Sequence, residues 1–213
     1  MLIKKVDEAL SEEEWKHFLR THDFGQFIAA GEGRRWPIVV PTHFVYADDI
    51  IWFHLMRSNP VWEALSESPL GVFTVVGAYT YVTSEMNTPP GTSAEFGIPT
   101  SYYAAVQLQG RARAVPDPEE LAALLNRQMD HFEPDRVGPP VATDNVYGKS
   151  LNAIQGVRFE VESVRAKFKF GGNRTVEHQL EINAALLERG RGLDSEAAAI
   201  QRNRLDQTRQ AAD

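Results

Sequence analysis

Residues 157–170 read VRFEVESVRAKFKF. Apolar and polar side chains alternate, as a strand with one buried face requires, but the phase changes midway. Val157, Phe159 and Val161 fall on odd positions; Val164, Ala166, Phe168 and Phe170 fall on even ones. A reversal at Glu162-Ser163 is what a β-bulge or sharp bend produces. A long bent strand joined to others in a meander favours a closed barrel over a flat sheet.

The rest of the chain extends this pattern. In 101–115, Ala104, Val106, Leu108, Gly110, Ala112 and Ala114 share a core face, and Tyr103, Gln107, Gln109, Arg111 and Arg113 share the other. Segments 24–30, 36–46, 50–55 and 70–83 are rich in Val, Ile, Phe and Tyr and are separated by turn material at GEGRR, ADD and SNP. The Ala47-Asp48-Asp49 link is short enough for a hairpin. Helix signals are peripheral. Ser11 and Glu14 form a capping box before a helix at 12–21. Asp117-Pro118 starts one at 117–132, and Thr175 caps one at 175–190. A short helix is predicted over 145–154, and 85–100 is a long proline-containing loop of the kind that covers a site or lies at an interface. The polar residues 202–213 read as a frayed tail. With no repeat and no interdomain linker, the expectation is one domain over 1–213, mainly β with peripheral helices.

Composition bounds the function. At 213 residues, 43% hydrophobic and 24% charged, the chain is an ordinary globular one with no apolar run near the length of a membrane span. The start MLIKKVDEALSEEEW turns acidic where a signal peptide becomes apolar, so a cytoplasmic protein is expected. The absence of cysteine excludes disulfides, thiolate metal sites and cysteine nucleophiles. A net charge of −7, with no helix-turn-helix signature, argues against direct nucleic-acid binding.

The familiar nucleotide-loop, hydrolase and zinc motifs are missing, and the six histidines are scattered without ligand spacing, so no metal site is predicted. Two stretches stand out. In WFHLMRSNPVWEAL (52–65) a strand–turn–helix unit carries Arg57, a combination that suits an anionic group. In KFKFGGNR (167–174), Lys167 and Lys169 share one face, Phe168 and Phe170 point inward, and Gly171-Gly172 permits a sharp turn. Asn173 and Arg174 then stand beside a helix start. Arg111 and Arg113 add further cations.

The order of these motifs resembles the PaiB-like proteins, FMN-binding negative transcriptional regulators of the FMN-binding split-barrel superfamily. The resemblance is carried by DFGQFIAAGEG (23–33), PTHFVYADD (41–49), WFHLMRSNPVW (52–62), AYTYVTS (78–84), IPTSYYAAVQLQGRARAVPDPEELAALL (98–125) and VRFEVESVRAKFKFGGNR (157–174). It implies a six-stranded Greek-key or meander split β-barrel that dimerises, with FMN at the dimer interface and a regulatory or redox role. By motif, His54, Arg57, Asn59 and Trp62 would lie near the phosphate, with Thr42 and His43 on the neighbouring strand. Tyr103, Lys167, Lys169, Asn173 and Arg174 would close the site, and Arg57 is chief among the phosphate partners.

Three departures bear on the cofactor. Thr83-Ser84-Glu85-Met86 stands where such proteins have Pro-Ser-Trp-Tyr, Ser101-Tyr102 where they have Trp-Asn, and Gly171-Gly172 where they have Ser-Gln. Losing the aromatic pair removes stacking worth about 0.5–1.5 kcal/mol beyond its area. The resemblance therefore implies weaker FMN binding or a changed ligand. Two alternatives stay open: a flavin reductase or oxidoreductase using NAD(P)H, and a split-barrel module that binds another ligand, such as haem through His43, His54 or His178, or has lost flavin binding.

Overall fold

The computed structural model describes residues 1–210. In chain order the elements are α1 (Glu12–Thr21), β1 (Phe24–Ala29), β2 (Ile38–His43), β3 (Val45–Ala47), β4 (Ile50–Met56), α2 (Val61–Glu67), β5 (Leu70–Val82), β6 (Thr100–Val115), α3 (Pro118–Phe132), α4 (Gly148–Leu151), β7 (Ile154–Lys169), α5 (Val176–Arg189) and α6 (Asp194–Gln210). The chain divides into two compact units. One comprises Met1–Lys16, Val76–Val106 and Arg165–Asp213; the other comprises His17–Val75 and Gln107–Val164. Strands β5, β6 and β7 contribute residues to both.

The fold is mainly β, and its strands run in the order β2-β1-β5-β6-β7-β4-β3. The ladders β1–β2, β1–β5, β3–β4 and β4–β7 are antiparallel. Among the described residues seven strands stand where six were expected, because the segment read as one strand over 36–46 breaks at Phe44. Its first half pairs with β1 and its second half with β4, so the two ends of the sheet are joined by the chain at Phe44 and not by a ladder. The expected hairpin at Asp48-Asp49 is present. Both residues have positive φ (55° and 59°), as a two-residue primed turn demands.

In the unit built from 17–75 and 107–164, five fully buried phenylalanines hold the strands in phase. Phe27, Phe53, Phe73 and Phe159 come from β1, β4, β5 and β7, and Phe44 comes from the break itself. Phe44 meets Phe73 edge-on at 4.8 Å between centroids, Phe27 meets Phe53 at 5.3 Å and Phe159 at 5.7 Å, and Phe53 meets Phe73 at 5.7 Å. The opposite face of β4 turns Trp52 and His54 towards α3, whose Leu121 and Leu124 form a second cluster with Val115, Val141 and Leu151. Asp117 caps α3 by accepting from Glu119 N–H (2.8 Å). The reversal expected in β7 is also present: Phe159 and Phe168 are buried, while Glu162 and Ser163 are both exposed. Gly110 is required by close approach of two backbones, since a Cβ there would overlap the Glu160 carbonyl.

In the other unit, residues 202–210 correct the expectation of a frayed tail. They continue α6, because Gln201, Arg204 and Leu205 are buried. The polarity of this segment is internal: Arg204 Nη1 donates to both oxygens of Glu14 (2.6 Å each) and Nη2 to Glu8 O (2.8 Å). Residues 211–213 of that expected tail lie outside the described residues. The start of α6 is fixed by fully buried Asp194, which accepts from Thr80 Oγ1, Arg189 Nε (2.8 Å) and Nη2 (2.6 Å), and Arg191 N–H (2.8 Å). The Arg189 guanidinium, with help from Thr80, holds the Asp194 carboxyl far below the usual carboxylate range.

Two stability measurements check these assignments. Phe73→Ala is expected to cost about 3–5 kcal/mol in denaturant unfolding, because it removes the ring shared by its neighbours. Asp194→Ala strands the partly covered Arg189 charge and is expected to cost about 3 kcal/mol at neutral pH. Because the native pKa of Asp194 is depressed, its contribution is complete above the unfolded value. The gap between wild type and Asp194→Ala therefore narrows as pH falls below about 4.

Candidate functional site

Four basic side chains line one cleft within a single unit. The outward face after the β7 reversal presents Lys167 and Lys169, and the turn that follows presents Asn173 and Arg174. With Thr100 and Tyr102 from β6 and Lys4, Val6 and Asp7 from the N-terminal segment, they line a cleft of about 360 Å³. Four cations and one carboxylate meet there. Lys169 Nζ donates to Thr100 Oγ1 (2.7 Å), and partial burial lowers its pKa. Lys167 Nζ lies 5.6 Å from the Tyr103 ring centroid and donates to Leu2 O (3.0 Å). Arg174 is fixed by its backbone: its N–H donates to Gly171 O (2.8 Å) and its carbonyl accepts from Gln179 Nε2 (2.9 Å). Its guanidinium has no ion pair among the described residues and lines the cleft.

Tyr102, not singled out as a site residue in the sequence, supplies the cleft's buried hydroxyl. Burial pushes its pKa up to about 12, so the phenol keeps its proton, and its oxygen accepts a long bond from Gln201 Nε2 (3.5 Å). The departures at Tyr102 and Gly171 are coupled. Gly171 has φ +81°, and a Cβ there would overlap the Tyr102 hydroxyl. A side chain at 171 and a tyrosine at 102 cannot share this space.

Of the other predicted residues, Thr42, His43, His54, Arg57, Asn59 and Trp62 fall in the second unit and divide further. His43 and His54 line an apolar cavity of about 500 Å³ with Leu125, Met129, Phe132 and Ile154. Their rings meet edge-to-face at 5.1 Å, and Phe132 stands edge-on to His43 at 5.3 Å. Burial, then the neighbouring His54, lowers the pKa of His43 and keeps it neutral. His54 Nδ1 lies 2.6 Å from Gln128 Oε1, while Gln128 Nε2 donates to Trp52 O (3.4 Å). The amide orientation thus assigns the His54 proton to Nδ1 and leaves Nε2 as the lone-pair nitrogen. Thr42 is buried and bonds its own strand at His43 O (3.0 Å).

Arg57, Asn59 and Trp62 serve the turn after β4. Arg57 is exposed and donates to Gln155 Oε1 (3.2 Å). Asn59 Oδ1 accepts from Val61 N–H (3.0 Å), and Trp62 Nε1 donates to Met56 O (2.8 Å). The backbone donors expected to meet an anion at α2 are partly used by the turn itself, since Trp62 N–H also bonds Asn59 O (3.3 Å). Arg111 and Arg113 pair with Glu162 (2.8 Å) and Glu120 (3.0 Å). Glu85 and Met86, at the altered aromatic positions, line an acidic cavity with Glu181 and Glu188. His178 is buried on α5 with Nε2 unpartnered, and burial and Arg174 keep it neutral.

Lys4, Asp7 and Thr100 carry no motif that marks them as cleft residues, and Tyr102 is marked only as a departure from the resembled family. Lys4 and Asp7 lie on a segment without periodicity, and Tyr102 has the phase of a core residue.

None of the curated proteins matches the chain. Solved structures with a similar fold include the flavocytochrome Anf3 from Azotobacter vinelandii, at 22% identity and TM-score 0.60, covering 76% of this chain and 69% of that one. An FAD and heme binding protein from Mycobacterium smegmatis matches at 18% identity and TM-score 0.60, covering 81% and 78%. A conserved hypothetical protein from Mycobacterium tuberculosis matches at 16% and 0.57, covering 79% and 90%. At these identities the likeness establishes the split-barrel fold. A family model described as "Putative FMN-binding domain" matches residues 1–163, about three quarters of the chain, and the protein belongs to that family.

Proposed function

We propose that the protein is a flavin-binding homodimer of the PaiB type with a regulatory or redox role, and that the basic cleft holds the phosphate of FMN or a related flavin. The observation that carries this reading is the convergence of Lys4, Lys167, Lys169 and Arg174 on one cleft in a protein of net charge −7. Arg174 offers a planar fork suited to two phosphate oxygens, and the lysines supply point charge. The protonated Tyr102 hydroxyl and the Asn173 amide add neutral donors. When bound, the flavin would supply electron transfer at its ring. The chain's own part is to neutralise the dianion and fix its end of the cofactor.

In this proposal the phosphate is assigned to the cleft and not to Arg57, the residue ranked first from the sequence. A single exposed arginine bonded to a glutamine is a weaker dianion site than four convergent cations. Thr42, His43, His54, Arg57, Asn59 and Trp62 belong, in this proposal, to a second face that a partner subunit brings to the cofactor. Side chains that support such a pairing are Val76, Tyr79 and Tyr81 on β5, each about half exposed or more (62%, 54% and 49%). A net charge of −7 disfavours binding along a nucleic-acid backbone, so the regulatory role proposed here acts through ligand or protein contacts. Oxidation of NAD(P)H on adding FMN is the result that would make it a reductase.

A second reading is supported by His54. Its Nε2 is presented to an apolar cavity by a hydrogen bond on the opposite nitrogen, the arrangement that orients metal-ligating imidazoles. Among the described residues no cluster of three or more His, Asp or Glu could hold a bare metal ion. A metal at His54 would have to arrive with its own equatorial ligands, as haem iron does. Two of the similar structures are titled as a flavocytochrome and as an FAD and heme binding protein.

Titration with FMN, followed by quenching of flavin fluorescence, tests the first reading. Arg174→Ala is expected to weaken binding at least tenfold, the cost of removing a charged phosphate partner, and Arg57→Ala less than threefold. The reverse ranking returns the phosphate to the β4 turn. Haemin titration tests the second: a Soret band shifted and sharpened relative to free haemin, with the shift lost in His54→Ala and kept in His178→Ala, supports it, and a spectrum equal to that of free haemin in wild type ends it.

A further inference from the structure

A carboxylate already stands among the cleft's cations. Asp7, at the end of a single 3-10 turn (Lys5–Asp7), is buried, and its Oδ2 lies 3.9 Å from Lys167 Nζ. The segment that carries it is strapped along the end of β7. Lys167 Nζ donates to Leu2 O (3.0 Å), Arg165 donates to Met1 O, and Glu8 forms an isolated antiparallel bridge with Lys167. Gly172 permits this approach, since a Cβ there would stand 2.7 Å from the Val6 carbonyl oxygen.

The strap is held mainly by polar contacts. Leu2 and Val6 are 77% and 41% exposed, so the segment buries little apolar area. Burying Asp7 is tolerable only because cations surround it. A phosphate entering the same cleft meets that carboxylate as a like charge in a partly desolvated space, and the two cannot share Lys167 and Lys169 without repulsion. Two occupants that exclude one another, one of them tethered, make a switch whose balance is set by their difference in affinity.

We propose that the N-terminal strap is an internal competitor for the cleft: Asp7 compensates Lys167 and Lys169 when no ligand is present, and a phosphate-bearing ligand binds by displacing Asp7 and loosening residues 1–8. This rests on the reading that the cleft is a phosphate site, and the ligand class is a phosphate monoester.

The probe is inorganic phosphate, followed by FMN, on the full chain. Asp7→Asn keeps the shape and removes the charge, and it is expected to bind phosphate at least fivefold more tightly. Gly172→Ala keeps every charge but crowds the Val6 carbonyl, and it is expected to move affinity in the same direction. In wild type, phosphate is expected to speed amide exchange at Asp7 and Glu8, whose N–H groups bond the carbonyls of Lys4 and Lys5. Thermal unfolding of each variant identifies one that has not folded, in which case the other variant and the exchange experiment decide. Unchanged or weaker phosphate binding in the folded variants, or slower exchange at Asp7 and Glu8, overturns the proposal. Tighter phosphate binding by both variants without FMN binding by any form would uphold the strap and end the flavin reading. Equal FMN and phosphate affinity in wild type and Asp7→Asn would do the opposite.

Discussion

Five phenylalanine rings packed against one another set the phase of the sheet. A strand offers alternate side chains to its two faces, so fixing one ring inward fixes its neighbours on that strand as far as the next irregularity. Phe27 inward carries Gly25 and Ala29 with it; Phe53 carries Ile51 and Leu55; Phe159 carries Val157. The complementary set on β4, Trp52 and His54, must then face α3. That is how an apolar core, with no polar chemistry of its own, decides that a histidine is delivered to a cavity. Phe44 has a further part, because the chain turns from β2 to β3 at a residue that cannot be left in water without losing its contact with Phe73.

The reversal in β7 is the second decision, and it matters more for chemistry than for stability. Had the odd positions stayed inward beyond Val161, Lys167 and Lys169 would have pointed at the core and Phe168 and Phe170 at solvent. Spending two consecutive outward residues at Glu162 and Ser163 exchanges the faces. The lysines then stand beside Thr100 and the Gly171 turn, where partial burial costs Lys169 some of its proton affinity and Thr100 accepts its hydrogen bond. A strand that is continuous in hydrogen bonding thus serves a core in one half and a charged cleft in the other.

Much of this was readable before any coordinates, for a physical reason. Strand phase, capping residues and turn glycines are local signals: the starts of α1, α3 and α5 follow from Ser11, Asp117 and Thr175, and the change of face within β7 from the Glu162-Ser163 reversal. The two-residue hairpin at Asp48-Asp49 was local in the same sense. What escaped was non-local pairing. Residues 202–210 look like a soluble tail because Gln201 and Arg204 are polar, yet Arg204 is buried by virtue of Glu14 and Glu8, far away in sequence. Arg111 and Arg113 looked like free cations until Glu162 and Glu120 were seen to pair with them. Periodicity says which face a residue occupies, but not whether a partner of opposite charge arrives there from elsewhere.

That distinction also governs how the charges should be weighed. The sequence holds 22 basic and 29 acidic side chains, so a surplus of cations at one place has to be maintained against a majority of the opposite sign. On the outward face of β6 it is not maintained, because glutamates take up the arginines. In the cleft, four cations face Asp7 as the one lining carboxylate, and that carboxylate is carried on a strap with little apolar area to secure it. A surplus held this way is costly to the resting fold through like-charge repulsion. It is most simply understood as poised for an anion that the chain itself does not contain, with the tethered carboxylate limiting the repulsion until that anion arrives.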